Sequence, residues 1–329
     1  MKNMKKRIFA LALALCLVVL SLASCGGIKS SSEESQVIGK CNGYDVKYEE
    51  LRFLVLTAKA ELENKYGEGI FAPESSAYIG EYAAELEETV VNQICQNYAS
   101  LAEFNENGIR TGDSETRKYV DEYVNSVIKS LGGEEEYLAY LKECYLNDAV
   151  LRFNVALESC FYRYFEKVSS KYDEEAYNAV LSGDGFIRTM SIFIKNDAGE
   201  KVEKNRSDAE RIRQEIEDGA LLSSYIGTKY NQDTGACDYY FVKGYFDEAY
   251  ENAAFALEIG EVSDVVETPE GFYIIQRMEL SDTYMFGNMA ALKAVYLECK
   301  MYELINERVA KTSFEFNDYG KTLNLWEIE

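Results

Sequence analysis

Histidine is absent from all 329 residues. Without it no conventional Cys/His zinc site can be built, and the eight cysteines show no CxxC spacing, so no metal or other cofactor is expected. Basic residues are scarce, 34 against 57 acidic, which gives a formal net charge of −23 and makes nucleic acid a poor partner. Most of that excess reads as solvated helix faces. Proline occurs twice and tryptophan once, as Trp326. No internal repeat, P-loop, Rossmann fingerprint or nucleophile elbow is present. Long apolar runs are missing apart from Ile8 to Leu20, which is short and early for a membrane span.

That run follows Lys2, Lys5, Lys6 and Arg7 and precedes Leu22-Ala23-Ser24-Cys25, the layout of a secretory signal with its cleavage site. Leu-Ala-Ser-Cys resembles the bacterial lipobox. The resemblance implies a signal over residues 1–24, a lipidated Cys25 as first mature residue, and a protein held at the outer face of a bacterial cell membrane. Residues 25–36, rich in Gly, Ser and Glu, read as a flexible tether. The remaining six cysteines lie mostly among apolar neighbours and read as small buried hydrophobes; disulfides stay open, with no pairing selected.

Residues 37–182 read as largely helical. Asn42-Gly43 makes a turn between two short extended runs, and a helix begins near Tyr48. Leu86, Val90, Ile94, Leu101 and Phe104 mark a helix ending at Asn107-Gly108. Val120, Tyr123, Val124, Val127 and Leu131 mark another, stopped by Gly132-Gly133, and a third runs from about Asn147 to Val168. Its aromatics Phe161, Tyr162, Tyr164 and Phe165 read as core before groove. Cys41-Asn42-Gly43, with the Gly-Gly-Glu-Glu-Glu-Tyr run after the second helix, resembles the N-terminal chaperone region of PrsA-type and SurA-type foldases.

Residues 183–280 read as an α+β unit. Phe186 to Ile194 is a strand run, and Ser207-Asp208-Ala209-Glu210 is a capping box for a helix burying Ala209, Ile212 and Ile216. Asp247 and Glu248 begin a helix with Tyr250, Ala253, Ala254 and Leu257 on one face, and Gly260 is expected to stop it. Val262 to Glu267 reads as extended, Thr268-Pro269-Glu270-Gly271 as a turn, and Phe272 to Met278 as a strand. The expected order is strand, three helices, two strands.

The stretch Phe241 to Arg277 resembles the second half of a parvulin-type peptidyl-prolyl isomerase domain. Ser191-Ile192-Phe193-Ile194 and Gly271-Phe272-Tyr273-Ile274-Ile275 stand where the family carries its two histidines. The resemblance implies that Ser191 and Tyr273 occupy the histidine positions, that Phe246 and Tyr250 form the proline pocket, and that Asp233, with Cys237 as rival, takes the family's Asp or Cys place. Twisting an X-Pro amide needs no nucleophile, only stabilisation against a barrier of ~18–20 kcal/mol. Ser191, Tyr273 and Asp233 therefore form either a hydrogen-bonding catalytic floor or a satisfied polar group in a retained scaffold.

In residues 281–329, Ala290 to Ala310 reads as a helix, with Thr312 to Phe316 and Leu323 to Ile328 extended. By the same resemblance this segment packs on the N-terminal helices and the isomerase-like domain is an insertion. The expectation is an α+β protein: a lipid-anchored, extracytoplasmic folding factor acting on unfolded, newly exported or proline-containing polypeptides, with weak or absent isomerase activity. The competing class is a non-catalytic lipoprotein that holds peptides or envelope partners.

Overall fold

Asn42 and Gly43 both adopt left-handed backbone, φ 49° and 82°, and so close the two-residue hairpin that opens the computed structural model. The structure describes residues 35–72, 79–183, 185–195, 201–231 and 238–329. Cys25, the signal, Asp233 and Cys237 lie outside the described residues. Along the chain come β1 (Val37–Cys41), β2 (Tyr44–Lys47), α1 (Tyr48–Tyr66), α2 (Ile79–Glu106), α3 (Ser114–Leu131), α4 (Glu134–Glu143) and α5 (Asp148–Ser169). Then follow α6 (Glu174–Ser182), β3 (Ile187–Lys195), α7 (Lys201–Glu217), β4 (Asp238–Phe241), α8 (Glu248–Ala256), β5 (Val266–Thr268) and β6 (Gly271–Met278). The chain continues with α9 (Asp282–Gly287), α10 (Met289–Val309) and β7 (Phe314–Phe316). The protein is α+β and forms two compact units, one of residues up to Lys167 with Leu304–Glu329, the other of Val168–Glu303.

In the first unit the antiparallel sheet runs β2-β1-β7, with Cys41 opposite Tyr44 and Gly39 opposite Phe316. Ile38, Val46, Leu51, Val55, Leu86 and Ile94 are fully buried in one core. Two glycines permit this packing. A Cβ at Gly39 would lie 2.5 Å from Glu315 O, and one at Gly320 would lie 2.2 Å from Ile38 O. Arg308 Nε binds Glu103 Oε2 at 2.8 Å, fixing the end of α10 to α2. Of the aromatic cluster in α5, Tyr164 is buried against Phe104, ring centroids 5.4 Å apart. Core wins there because α2 presents an apolar face at that level.

In the second unit the antiparallel sheet runs β4-β3-β6-β5. Alternation along β3 sends Ile192 and Ile194 to one face, where Ala209 and Ile212 of α7 pack with Phe272 and Ile274. Ile187 goes to the other, with Phe241, Tyr250, Ala254 and Ile275. A bidentate pair, Arg188 Nε and Nη2 donating to Asp238 Oδ1 and Oδ2, both at 2.8 Å, joins β3 to β4.

Several sequence expectations are corrected. Ser207 does not start its helix: α7 already begins at Lys201, because Val202 lies on the same apolar stripe as Ala209, Ile212 and Ile216. The expected run of three helices is interrupted, since Leu222–Tyr225 is only a 3-10 turn and Asp238–Phe241 is strand β4. The helix capped by Asp247, which accepts from Ala249 N at 2.9 Å, ends at Ala256, before Gly260. Val262 makes one isolated bridge to Gln276, so pairing resumes as a strand only at Val266. Residues 323–328 carry a 3-10 turn, Leu325–Glu327, in place of extended chain. Lys59 Nζ takes the carbonyls of Trp326 and Ile328 at 2.6 and 2.8 Å, which curls that backbone.

Candidate functional site

The face of the second sheet that bears α8 gathers aromatic rings around a short row of hydroxyls. Thr189, Ser191 and Phe193 point to this face from β3, because alternate residues share a side. Thr189 stands opposite Arg277, Ser191 opposite Ile275 and Phe193 opposite Tyr273 on β6. The β-branched and aromatic residues in both strands suit this half-buried surface.

Four of the residues singled out from the sequence meet here. Phe246 stacks on Tyr250 with centroids 4.3 Å apart and planes at 28°. Tyr250 meets Tyr273 edge-on at 5.0 Å. Tyr273 stacks on Phe193 at 4.5 Å, and Phe193 follows Ser191 by two positions on the same face. Asp233 falls outside the described residues, as does its rival Cys237.

The polar groups divide sharply. Thr189 Oγ1 and Tyr250 Oη share a buried hydrogen bond of 2.9 Å. Ser191 is 0% exposed, yet among the described residues its Oγ has no hydrogen-bond partner. An unmade buried hydroxyl bond costs ~1–3 kcal/mol, so the fold tolerates a debit here. Asn231 Oδ1 accepts from Phe193 N at 3.2 Å and fixes the strand at the next ring.

Phe246 owes its position to a residue that the sequence reading passed over. Glu251, in the first turn of α8, accepts from Gly244 N at 2.9 Å with Oε2, and from Tyr245 N and Phe246 N at 2.7 and 2.9 Å with Oε1. Three backbone N–H groups converge on one carboxylate, and the loop before α8 is held as a rigid turn. Tyr239 and Phe241 then meet Phe246 edge-on at 5.1 and 4.8 Å. Thr189, Phe193, Tyr239 and Glu251 were all missed. Alternation from Ser191 would have found the first two; Glu251 carries no local signal beyond an acid in a first helical turn.

Chemically the accessible part of this face is aromatic: Phe193, Tyr239, Phe246 and Tyr273 are half-buried, whereas Thr189, Ser191 and Tyr250 are buried. The face's described members Thr189, Ser191, Tyr250 and Tyr273 include no carboxylate, amine or thiol. The half-buried rings suit capture of an apolar or proline ring. Among the described residues no three or more Cys, Asp or Glu are arranged to hold a metal ion, and no helix is long and apolar enough to cross a membrane.

Comparison with known proteins finds two family matches. Residues 1–181 match the family described as SurA-like N-terminal domain, and residues 196–281 match the PPIC-type PPIASE domain. The foldase protein PrsA of Clostridium botulinum is 25% identical over 304 residues, covering 84% of both chains. The foldase protein PrsA of Oceanobacillus iheyensis is 36% identical over 78 residues, covering 22% of this chain and 26% of its relative. The crystal structure of PrsA from Bacillus subtilis is 21% identical and covers 84% of this chain and 91% of that one, with a TM-score of 0.29. The chain belongs to the SurA-like N-terminal domain family and carries a PPIC-type peptidyl-prolyl isomerase domain.

Proposed function

We propose that the protein is an extracytoplasmic folding factor for exported polypeptides, anchored by lipid at Cys25, in which the PPIC-type domain isomerises proline bonds weakly or not at all. The observation that carries the reading is the hydroxyl floor. Ser191 and Tyr273 stand at the two positions that the parvulin resemblance assigns to histidine, and the Ser191 hydroxyl is sealed from solvent. A sealed hydroxyl cannot follow the charge redistribution of a twisting amide without first being uncovered. Proline-containing segments are the proposed ligands of Phe246 and the half-buried rings around it, with the buried Tyr250 backing Phe246 from within the core. In this reading residues 37–182 hold unfolded chains, residues 183–280 fold as an inserted domain, and residues 281–329 complete the helical part.

The deciding measurement is the cis-to-trans rate of a proline peptide with the purified protein, beside refolding of a client that contains no proline. The reading expects a rate near the uncatalysed one and a client kept soluble. Isomerisation at a rate typical of active parvulins, lowered severalfold by Tyr273→Phe without unfolding, would overturn the first half. The anchor is tested separately, by fatty-acid labelling of the wild type and of Cys25→Ala; label retained by the variant would exclude it.

A second reading, a binding lipoprotein with no folding activity, is favoured by one observation. The hydroxyls of Thr189 and Tyr250 are bonded to each other, which withdraws them from chemistry on a bound amide and leaves the half-buried rings as a binding surface. Peptide binding without any gain in client refolding would select it.

A further inference from the structure

The core of the first unit buries two thiols against each other. Cys41 ends β1 with no exposed surface, and Cys95 lies in α2 at 7% exposure; both belong to one buried core, and the Cys95 side chain is near enough to help raise the Cys41 thiol. The surrounding backbone is fastened independently of the sulfurs. Asn42 donates Nδ2 to Tyr98 O at 3.3 Å. The Tyr98 hydroxyl lies 2.8 Å from Glu50 Oε2, which accepts, and 3.3 Å from Asp45 O. Cys95 and Tyr98 are three residues apart and share a helix face, so the hairpin turn is held over the face that carries Cys95.

The other described cysteines, also buried, meet different neighbours. Cys160 Sγ lies 3.8 Å from Thr116 Oγ1, Cys144 is hydrogen-bonded to Tyr140, and Cys299 sits beside Glu298. Geometry therefore separates one pair from the rest, where the spacing of the cysteines in the sequence separates none.

We propose that Cys41 and Cys95 are a disulfide-forming pair whose oxidation ties the β1–β2 hairpin covalently to α2. The oxidant is a small-molecule or protein disulfide. One cysteine thiolate attacks it, forming a mixed disulfide and expelling one thiolate; the second cysteine then attacks its partner's sulfur and expels the other. Two cysteine thiols are oxidised, the incoming disulfide is reduced to two thiols, and these carry away the two protons. Burial pushes the Cys41 thiol up to about 12, so the exchange runs before the core closes over the pair, while both sulfurs are still wet. The finished bond closes a long loop through α1 and most of α2, and loops of that size restrict the unfolded chain strongly. This inference is independent of what the PPIC-type face does.

The test refolds the full-length protein from denaturant in a mixture of reduced and oxidised glutathione, then alkylates it in denaturant without reductant and maps the peptides. The expected result is one linked pair holding Cys41 and Cys95, with melting several degrees above that of the reduced protein. That difference should vanish in Cys41→Ala and Cys95→Ala and persist in Cys144→Ala. If the wild-type map shows both cysteines alkylated, or either linked to a different cysteine or to glutathione, the proposal fails. The mapping needs no variant, so a substitution that prevents folding does not obscure the answer.

Discussion

Thr189 Oγ1 and Tyr250 Oη are 2.9 Å apart and buried, while Ser191, two residues along the same strand face, is equally buried and has no partner among the described residues. One hydroxyl is paired and its neighbour is not, which gives two adjacent substitutions opposite signs.

Ser191→Ala removes the orphan and should stabilise the second unit by about 1 kcal/mol, whereas Thr189→Val strips Tyr250 of a partner and should cost about 1 kcal/mol. Urea midpoints of the two variants check this. A Ser191→Ala protein less stable than wild type would show that the hydroxyl is satisfied in solution.

Glu251→Ala should release Gly244, Tyr245 and Phe246 from their shared acceptor. A loss of ~1–3 kcal/mol is expected, together with weaker binding of proline peptides because Phe246 is no longer held. Peptide titration by calorimetry, beside a melt, separates the two effects; unchanged affinity in a folded variant would remove Phe246 from the binding surface.

Glu50 sets a pH dependence. Desolvation lifts its carboxyl to about 7, against the hydrogen bond from Tyr98, from ~4.3 in the unfolded chain. The folded state therefore keeps its proton where the unfolded state has lost it, so stability falls as pH rises from about 4.3 to 7 and then levels. Glu50→Gln keeps an acceptor for Tyr98 without the charge and should be more stable than wild type at pH 8, by roughly 3–4 kcal/mol, and nearly equal at pH 4. Melts at the two pH values decide it; an advantage largest at pH 4 would contradict the sign.

Gly320→Ala should be poorly tolerated, since its Cβ would lie 2.2 Å from Ile38 O. Overpacking against backbone costs ~1–3 kcal/mol or more. Gly219→Ala, with nothing within 4 Å but φ at 110°, isolates the backbone strain alone as a control. Denaturant midpoints should fall further for Gly320→Ala.

The long periodic helices were legible because each carries many turns of one stripe: α2 ends at Glu106 beside the expected Asn107-Gly108 stop, and α3 ends at Gly132 in the left-handed conformation. The hairpin was legible from Asn42-Gly43 alone. Strand β4 was not, since four residues, Asp238–Phe241, hold too little alternation, and what makes them a strand is the pairing of Tyr240 with Arg188 across sheet neighbours. Of the candidate site, Phe246, Tyr250, Tyr273 and Ser191 were recognisable by family resemblance, and they share one face. The partners that orient them, Thr189 and Glu251, act through distances that only the folded chain creates.

The pairing of Gly39 with Phe316 has a kinetic side. Asn317 Nδ2 donates to Val37 O at 2.8 Å, across 280 positions of chain, so the first sheet joins segments made at very different times during synthesis. Until β7 arrives, the free edge of β1 is an exposed template for stray pairing. Loop-closure entropy grows only logarithmically, by ~0.6 kcal/mol per doubling, so the intervening residues burden the finished structure little. They slow its completion instead, because the outer strand must wait for nearly the whole chain before the sheet can close.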